Sequence, residues 1–176
     1  SIINASYDMG LDGNVHDAAN ATIGRDAYGM SLNYFDGDYR AIGTSNAVAS
    51  GLPVTGLYNG NISGATYSMK DLNPETIGYT YSYDQLNRLV HTLAFNGINT
   101  SSNAWAASDS INDLKEYVSY DENGNILLYL RHGNTLNGGH LAMDSLTYHY
   151  PKGKNQLYQV EDAVGASNYS VDIDNE

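Results

Sequence analysis

Along Ile77-Gly78-Tyr79-Thr80-Tyr81-Ser82-Tyr83, large side chains hold the odd positions and small or polar ones the even positions. Period two is the mark of a strand with one covered face. Tyr117-Val118-Ser119-Tyr120-Asp121 and Leu146-Thr147-Tyr148-His149-Tyr150 line up with the Tyr79 to Asp84 stretch. After each segment comes a turn and then an apolar residue. The turns are Gln85-Leu86-Asn87-Arg88-Leu89, Glu122-Asn123-Gly124-Asn125-Ile126, and Pro151 to Leu157. Leu89 to Phe95 and Ile126 to Arg131 are the expected return strands, so each unit reads as a β-hairpin. A looser copy is expected at Tyr7-Asp8, its turn closed by Gly13-Asn14-Val15.

The turns carry their own chemistry. An Asp side chain can accept from backbone amides two residues on, which starts a turn. Asn87 and Gly124 fall where the chain needs positive φ, a conformation Gly takes freely and Asn tolerates. One hairpin alone is marginal in water, whereas several side by side make a sheet joined by cross-strand Tyr pairs. Weaker strands are expected at Ser31 to Phe35, Leu57 to Ile62 and Ala65 to Met69, near the turn marks Asp36-Gly37, Asn59-Gly60 and Asn96-Gly97. Ala41 to Leu52 and Thr100 to Asp113 lack alternation and are expected to be long loops, the second with a short helical turn near Trp105. The fold class expected is all-β: an antiparallel sheet of consecutive hairpins, with long loops and little helix. One domain is expected over 1–164, with an acidic, frayed tail over 165–176.

Composition sharpens this picture. The chain of 176 residues has 16 Tyr against 2 Phe and 1 Trp. A Tyr ring packs its body while keeping its hydroxyl wet, so thin, half-exposed layers are expected instead of a deep core. The 18 Gly and only 3 Pro fit many tight turns. Lys and Arg total 8 against 20 Asp and Glu, a net charge of −12, which repels phosphate backbones and anionic membrane surfaces. There is no cysteine, hence no disulfide, thiolate nucleophile or thiolate metal site. No run approaches the roughly 20 apolar residues of a membrane helix. The chain starts at Ser1 with no signal-like run and is expected to be a piece of a longer one.

The repeated Tyr-x-Tyr-Asp-x-x-(Gly/Asn)-(Arg/Asn)-(Leu/Ile) pattern resembles the YD repeat of bacterial Rhs proteins, of the kind found in Bacteroidetes. Tyr81-Ser82-Tyr83-Asp84-Gln85-Leu86-Asn87-Arg88-Leu89 is the nearest copy, followed by Ser119-Tyr120-Asp121-Glu122-Asn123-Gly124-Asn125-Ile126. Tyr28 to Gly37, Tyr58 to Ile62 and Asp144 to Tyr150 also look like Rhs-family stretches, so the resemblance spans most of Ile23 to Asp162. It implies a ribbon of hairpins that, in complete proteins, spirals into a secreted or cell-surface shell, sometimes around a toxin. It marks Tyr83, Asp84, Asn87, Arg88, Tyr120, Asp121, Gly124 and Asn125 as the structural repeat residues. The chain has too few repeats to close a shell, and it lacks the Pro-rich, Asp-Pro-containing segment, so no self-cleaving role is carried over.

Candidate chemistry is sparse. The acids sit beside Gly and Asn (Asp12-Gly13, Asp36-Gly37-Asp38, Asp121 to Gly124), where turn formation explains them better than a glycosidase pair. Asp121 to Asn125 is a poor calcium loop, with Gly misplaced and no distal Glu, and Asp172 and Asp174 lie in the tail. His16, His91, His132, His140 and His149 show no ligand spacing, so no metal or other cofactor is expected. No nucleophile elbow, phosphate loop or dinucleotide fingerprint occurs.

Sugar binding has a physical basis, since pyranose faces stack on aromatic rings. Trp105, Tyr79, Tyr81, Tyr148 and Tyr150 are the surface to consider, with cross-strand packing as the ordinary alternative. Three functions therefore stand, in this order: a non-catalytic structural or interaction module, a carbohydrate-binding surface protein, and a glycosidase-type enzyme. Expected partners are other repeats of the parent chain or a second copy through the sheet edges, with glycan as a further ligand. Open edges template pairing, so they should be covered by the long loops or joined in a dimer.

Overall fold

The period-two segments are strands in the computed structural model, which describes residues 28–35, 38, 51–69, 73–99, 104–135, 138–165 and 167–169. The strands are β1 (Tyr28–Asn33), β2 (Gly64–Met69), β3 (Asn73–Tyr83), β4 (Leu89–Asn96), β5 (Ser110–Tyr120), β6 (Ile126–His132), β7 (Ala142–His149) and β8 (Gln159–Asp162). Each is hydrogen-bonded to the next in chain order, giving one open antiparallel sheet of eight strands. The all-β hairpin sheet expected from the alternation is the observed fold.

Two expectations are corrected. Leu57 to Ile62 is not a strand: it is bend and irregular chain leading into β2. Ser110 to Asp113 is not loop but the start of β5, because Asp113 is fixed by accepting from the Thr135 amide and hydroxyl. The helical turn expected near Trp105 is a 3-10 turn at Ala107–Asp109, closed by the Asp109 carboxylate accepting from the Ala106 amide. The copy at Tyr7 to Val15, the turn marks at Asp12-Gly13 and Asp36-Gly37, His16, nearly all of Ala41 to Leu52 and most of the tail from Gly165 lie outside the described residues.

The chain divides into two compact units. The first, Ser1–Tyr81 with Ala94–Ile111, contains β1, β2 and most of β3. β2 and β3 pair with Gly64 opposite Thr80 and Thr66 opposite Gly78, which puts these four on one face. That face of small residues is buried, with Thr66 fully buried and Leu52 and Trp105 over Gly78, and on the opposite face Ala65 and Ile77 are buried as well. A Cβ at Gly78 would stand 3.0 Å from both side chains, so glycine is what lets the indole settle on the strand. Phe95, 1% exposed, meets the Trp105 ring edge-on at 6.5 Å. The Tyr face is the opposite one, where Tyr67, Tyr79 and Tyr81 form a half-exposed row with centroids 5.8 and 6.4 Å apart.

The second unit, Ser82–Leu93 with Asn112–Glu176, contains the start of β4, nearly all of β5, and β6 to β8. Its buried apolar residues are few, chiefly Val118 and Leu146. Polar groups fill the remaining interior. Glu116 stands opposite Arg131 in the register of β5 and β6, and Arg131 opposite Asp144 in that of β6 and β7. The Arg131 Nε donates to Asp144 Oδ2 at 2.5 Å, and the Asp144 side chain is 2% exposed. A buried charge is tolerable only when paired and hydrogen-bonded in this way.

Candidate functional site

The second unit collects nearly all the repeat residues at its turns. In the first turn the Asp84 amide donates to the Arg88 carbonyl and the Asn87 amide to the Asp84 carbonyl, both at 3.0 Å. Asp84 Oδ1 accepts from the amides of Leu86 (2.9 Å) and Arg88 (3.0 Å), and Oδ2 accepts from Arg88 Nε at 2.6 Å. The second turn repeats this pattern, with a side-chain amide in place of the guanidinium. The Asp121 amide donates to the Asn125 carbonyl, and Gly124 to the Asp121 carbonyl. Asp121 Oδ1 accepts from the amides of Asn123 and Asn125, and Oδ2 from the Asn125 side-chain amide at 2.8 Å. Asn87 and Gly124 have φ of 62° and 90°, the positive values anticipated from their place in the motif.

These bonds favour the ionised acids. Asp84 is held below the usual carboxylate range, first by the Arg88 amide, with partial desolvation opposing it and the Arg88 side chain and the Leu86 amide assisting. Asp121 is lowered as well, first by the Asn125 side-chain amide. Hydrogen bonds to the charged form are the general cause of such depression.

Neighbouring turns are tied sideways. Arg88 Nη1 donates to the Asp121 carbonyl at 3.1 Å, and the guanidinium lies 4.5 Å from the Tyr120 ring centroid. The Tyr120 hydroxyl donates to the Leu89 carbonyl at 2.8 Å. The Tyr150 hydroxyl does the same one hairpin on, donating to the Ile126 carbonyl at 3.0 Å. Leu89 and Ile126 hold the same place in the two repeats, directly after Arg88 and Asn125. The side-chain amides of Asn123 and Asn125 add bonds to Asn155 Oδ1 at 3.2 and 3.1 Å. Tyr83, the equivalent residue of the first repeat, is half-buried with its phenol raised by desolvation.

The remaining candidates separate. Trp105, expected as an exposed sugar platform in a loop, is 5% exposed and belongs to the packed interior of the first unit. A ring already covered by Gly78 and Phe95 offers no face to a ligand, which corrects that assignment. Tyr79 and Tyr81 stay half-exposed within the row of the first unit. Tyr148 and Tyr150 are brought together in the second unit, along a solvent-open groove of about 530 Å³ between the Asp121 to Asn125 turn and the Pro151 to Asn155 turn.

Leu127, Asn123, Asn155, Lys152 and Lys154 complete that groove, and sequence reasoning did not single them out as ligand-binding residues. The one available signal was Lys152-Gly153-Lys154, a basic pair in a strongly acidic chain. Asp121 is the single acid among the described lining residues, and both its oxygens are held within its own turn.

Elsewhere in the second unit, the Tyr129 phenol is pushed up to about 12 by desolvation and then by Glu116, so it stays protonated at neutral pH. Among the described residues no three His, Asp or Glu side chains converge as a metal site. His132 meets the Asn112 carbonyl, His149 meets Glu161, and His91 and His140 pack edge-on against Tyr117 and Tyr169. No helix among the described residues is long and apolar enough to cross a membrane. No protein-family model, curated protein or solved structure matches the chain.

Proposed function

We propose that the chain is a non-catalytic structural and interaction module, a YD-repeat segment of a larger Rhs-like bacterial protein that is secreted or displayed at the cell surface. The observation that carries this reading is the repeated lateral tie, a phenol of one hairpin donating to the first carbonyl after the turn of the hairpin before it. Such a tie adds one hairpin to the last without needing any particular side chain on the receiving strand. That is the property required of an extendable scaffold. The test is the parent reading frame: further Tyr-Asp hairpins are expected on at least one side of the segment, with the product in the culture medium or on the cell surface. A frame without further copies, or a product confined to the cytoplasm, sinks the proposal.

A second reading rests on a separate observation, the groove that joins Tyr148 and Tyr150 to Leu127, Asn123 and Asn155. Aromatic rings beside side-chain amides are the chemistry that holds a pyranose, and about 530 Å³ lies within the usual range for ligand sites. In this reading the module also binds glycan. A glycan array probed with the intact chain should give signal that falls in Tyr148→Ala; silence across the array rejects it.

A further inference from the structure

Four Asn-Gly pairs occur in the chain, and three of them, Asn59-Gly60, Asn96-Gly97 and Asn123-Gly124, lie wholly within the described residues. An asparagine followed by glycine carries a latent reaction. The next main-chain nitrogen can reach the side-chain carbonyl carbon, and glycine has no Cβ to hinder it. The fold treats the three pairs very differently.

Asn123-Gly124 is locked. The Gly124 amide, the nitrogen that would attack, donates to the Asp121 carbonyl at 3.1 Å. The Asn123 side-chain amide donates to Asn155 Oδ1 at 3.2 Å, and its main-chain amide to Asp121 Oδ1 at 2.9 Å. Asn96 is the last residue of β4, and its side-chain oxygen is buried. Asn59-Gly60 is open. Both residues are exposed, Gly60 has a φ of 88°, and a Cβ there would meet nothing within 4 Å. The chain is anchored on either side of this tip. The Leu57 amide donates to the Tyr34 carbonyl at 2.7 Å and the Ser63 amide to the Asn33 carbonyl at 2.8 Å, so the tip can react without β1 and β2 parting.

One further bond activates the pair. The Asn61 amide donates to Asn59 Oδ1 at 3.0 Å. It draws charge from Asn59 Cγ and stands at the distance from which main-chain amides stabilise a developing oxyanion.

We infer that Asn59-Gly60 is a site of spontaneous covalent modification, where the folded protein converts Asn59 to isoaspartate ahead of the other described Asn-Gly pairs. The Gly60 nitrogen gives its proton to hydroxide and bonds to Asn59 Cγ. The Cγ–Nδ2 bond breaks, and ammonia leaves with a proton from water, closing a five-membered imide. Water then adds to one of the two imide carbonyls. Opening at Cγ leaves aspartate, and opening at the main-chain carbon leaves isoaspartate, with the chain rerouted through the side chain. Nothing is oxidised or reduced: one water enters and one ammonia departs. Each event adds a negative charge to a chain already at −12, and isoaspartate also lengthens the main chain of the tip by one carbon.

The test holds the intact chain in mildly alkaline buffer made with heavy-oxygen water, then maps its peptides by mass spectrometry. Asn59 should take up the heavy-oxygen label, with isoaspartate in excess over aspartate. It should do so at least about tenfold faster than Asn123, whose turn must first give up its hydrogen bonds. In concentrated urea the two rates should become comparable, because the sequence of the reacting pair is the same. Gly60→Ala, which sets a Cβ beside the attacking nitrogen, should slow Asn59 about tenfold or more and leave Asn123 unchanged. Absence of conversion at Asn59 in the folded chain, equal rates at Asn59 and Asn123, or Asn96 reacting first overturns the inference. A difference that persists in urea overturns it as well, since the fold would then not be its cause.

Discussion

The two units solve the same problem by different means. Both must stabilise a thin sheet that has few large aliphatic side chains. The first does so with cover: Leu52 and Trp105 lie on a floor of Gly and Thr, and Phe95 closes the edge. The second has little cover and relies on ties between hairpins: two five-residue turns built around an aspartate, two phenol-to-carbonyl bonds, and the half-exposed Arg131 paired with a buried Asp144 carboxylate. Burial of a large aromatic contributes several kcal/mol at one position, whereas a net hydrogen bond contributes about 0.5–1.5 kcal/mol. The first unit therefore concentrates its stability in a few residues and the second distributes it.

That contrast can be broken most sharply at Trp105. Trp105→Ala should cost about 3–5 kcal/mol in chemical denaturation, the usual toll of emptying an aromatic site. A loss below about 1 kcal/mol would mean the indole is not the cover described. Next comes Gly124→Ala, expected to cost about 1–2 kcal/mol because φ is 90° while the added methyl meets nothing closer than 3.7 Å. Asn87→Gly, at the matching position, should change stability by under about 0.5 kcal/mol. A similar response at both would show that backbone strain is not the determinant.

Tyr120→Phe and Tyr150→Phe should each cost about 0.5–1.5 kcal/mol, and the double variant close to their sum, as distributed ties predict. The smallest effect concerns acid. Asp84 and Asp121 are depressed in the folded chain, so they stabilise it at pH above the unfolded carboxylate value of about 3.9, and that contribution is lost as pH falls through the folded values. Denaturation followed from pH 6 to pH 2 should steepen below about pH 4, and Asp84→Asn with Asp121→Asn should flatten the curve. An unchanged slope would sink the electrostatic account of the turns.

What the sequence made legible was local. The hairpins β3–β4 and β5–β6, the start of each turn at Asp84 and Asp121, and the left-handed residues Asn87 and Gly124 all follow from groups within five residues of one another. What it hid was distant in the chain. Trp105 looked like a stray loop aromatic because its floor, Gly78, lies on a strand remote in sequence. The alternation in β3 suggested that the Tyr face would be the covered one, yet small residues are what admit a tight cover. Asp113 read as loop because its partner, Thr135, is remote in sequence. The groove was half legible: Tyr148 and Tyr150 share a period-two row, but only the fold brings Asn123 and Lys152 to them.

The phenols of Tyr120 and Tyr150 donate hydrogen bonds to main-chain oxygens, which every amino acid possesses. Replacement of Leu89 or Ile126 by another residue would leave the acceptor in place, whereas adding or removing one residue between Asp84 and Leu89, or between Asp121 and Ile126, would carry it out of reach. Evolution of such a ribbon is then free in letters and strict in spacing: descendants can diverge widely in composition while the interval from each aspartate to its receiving carbonyl stays constant.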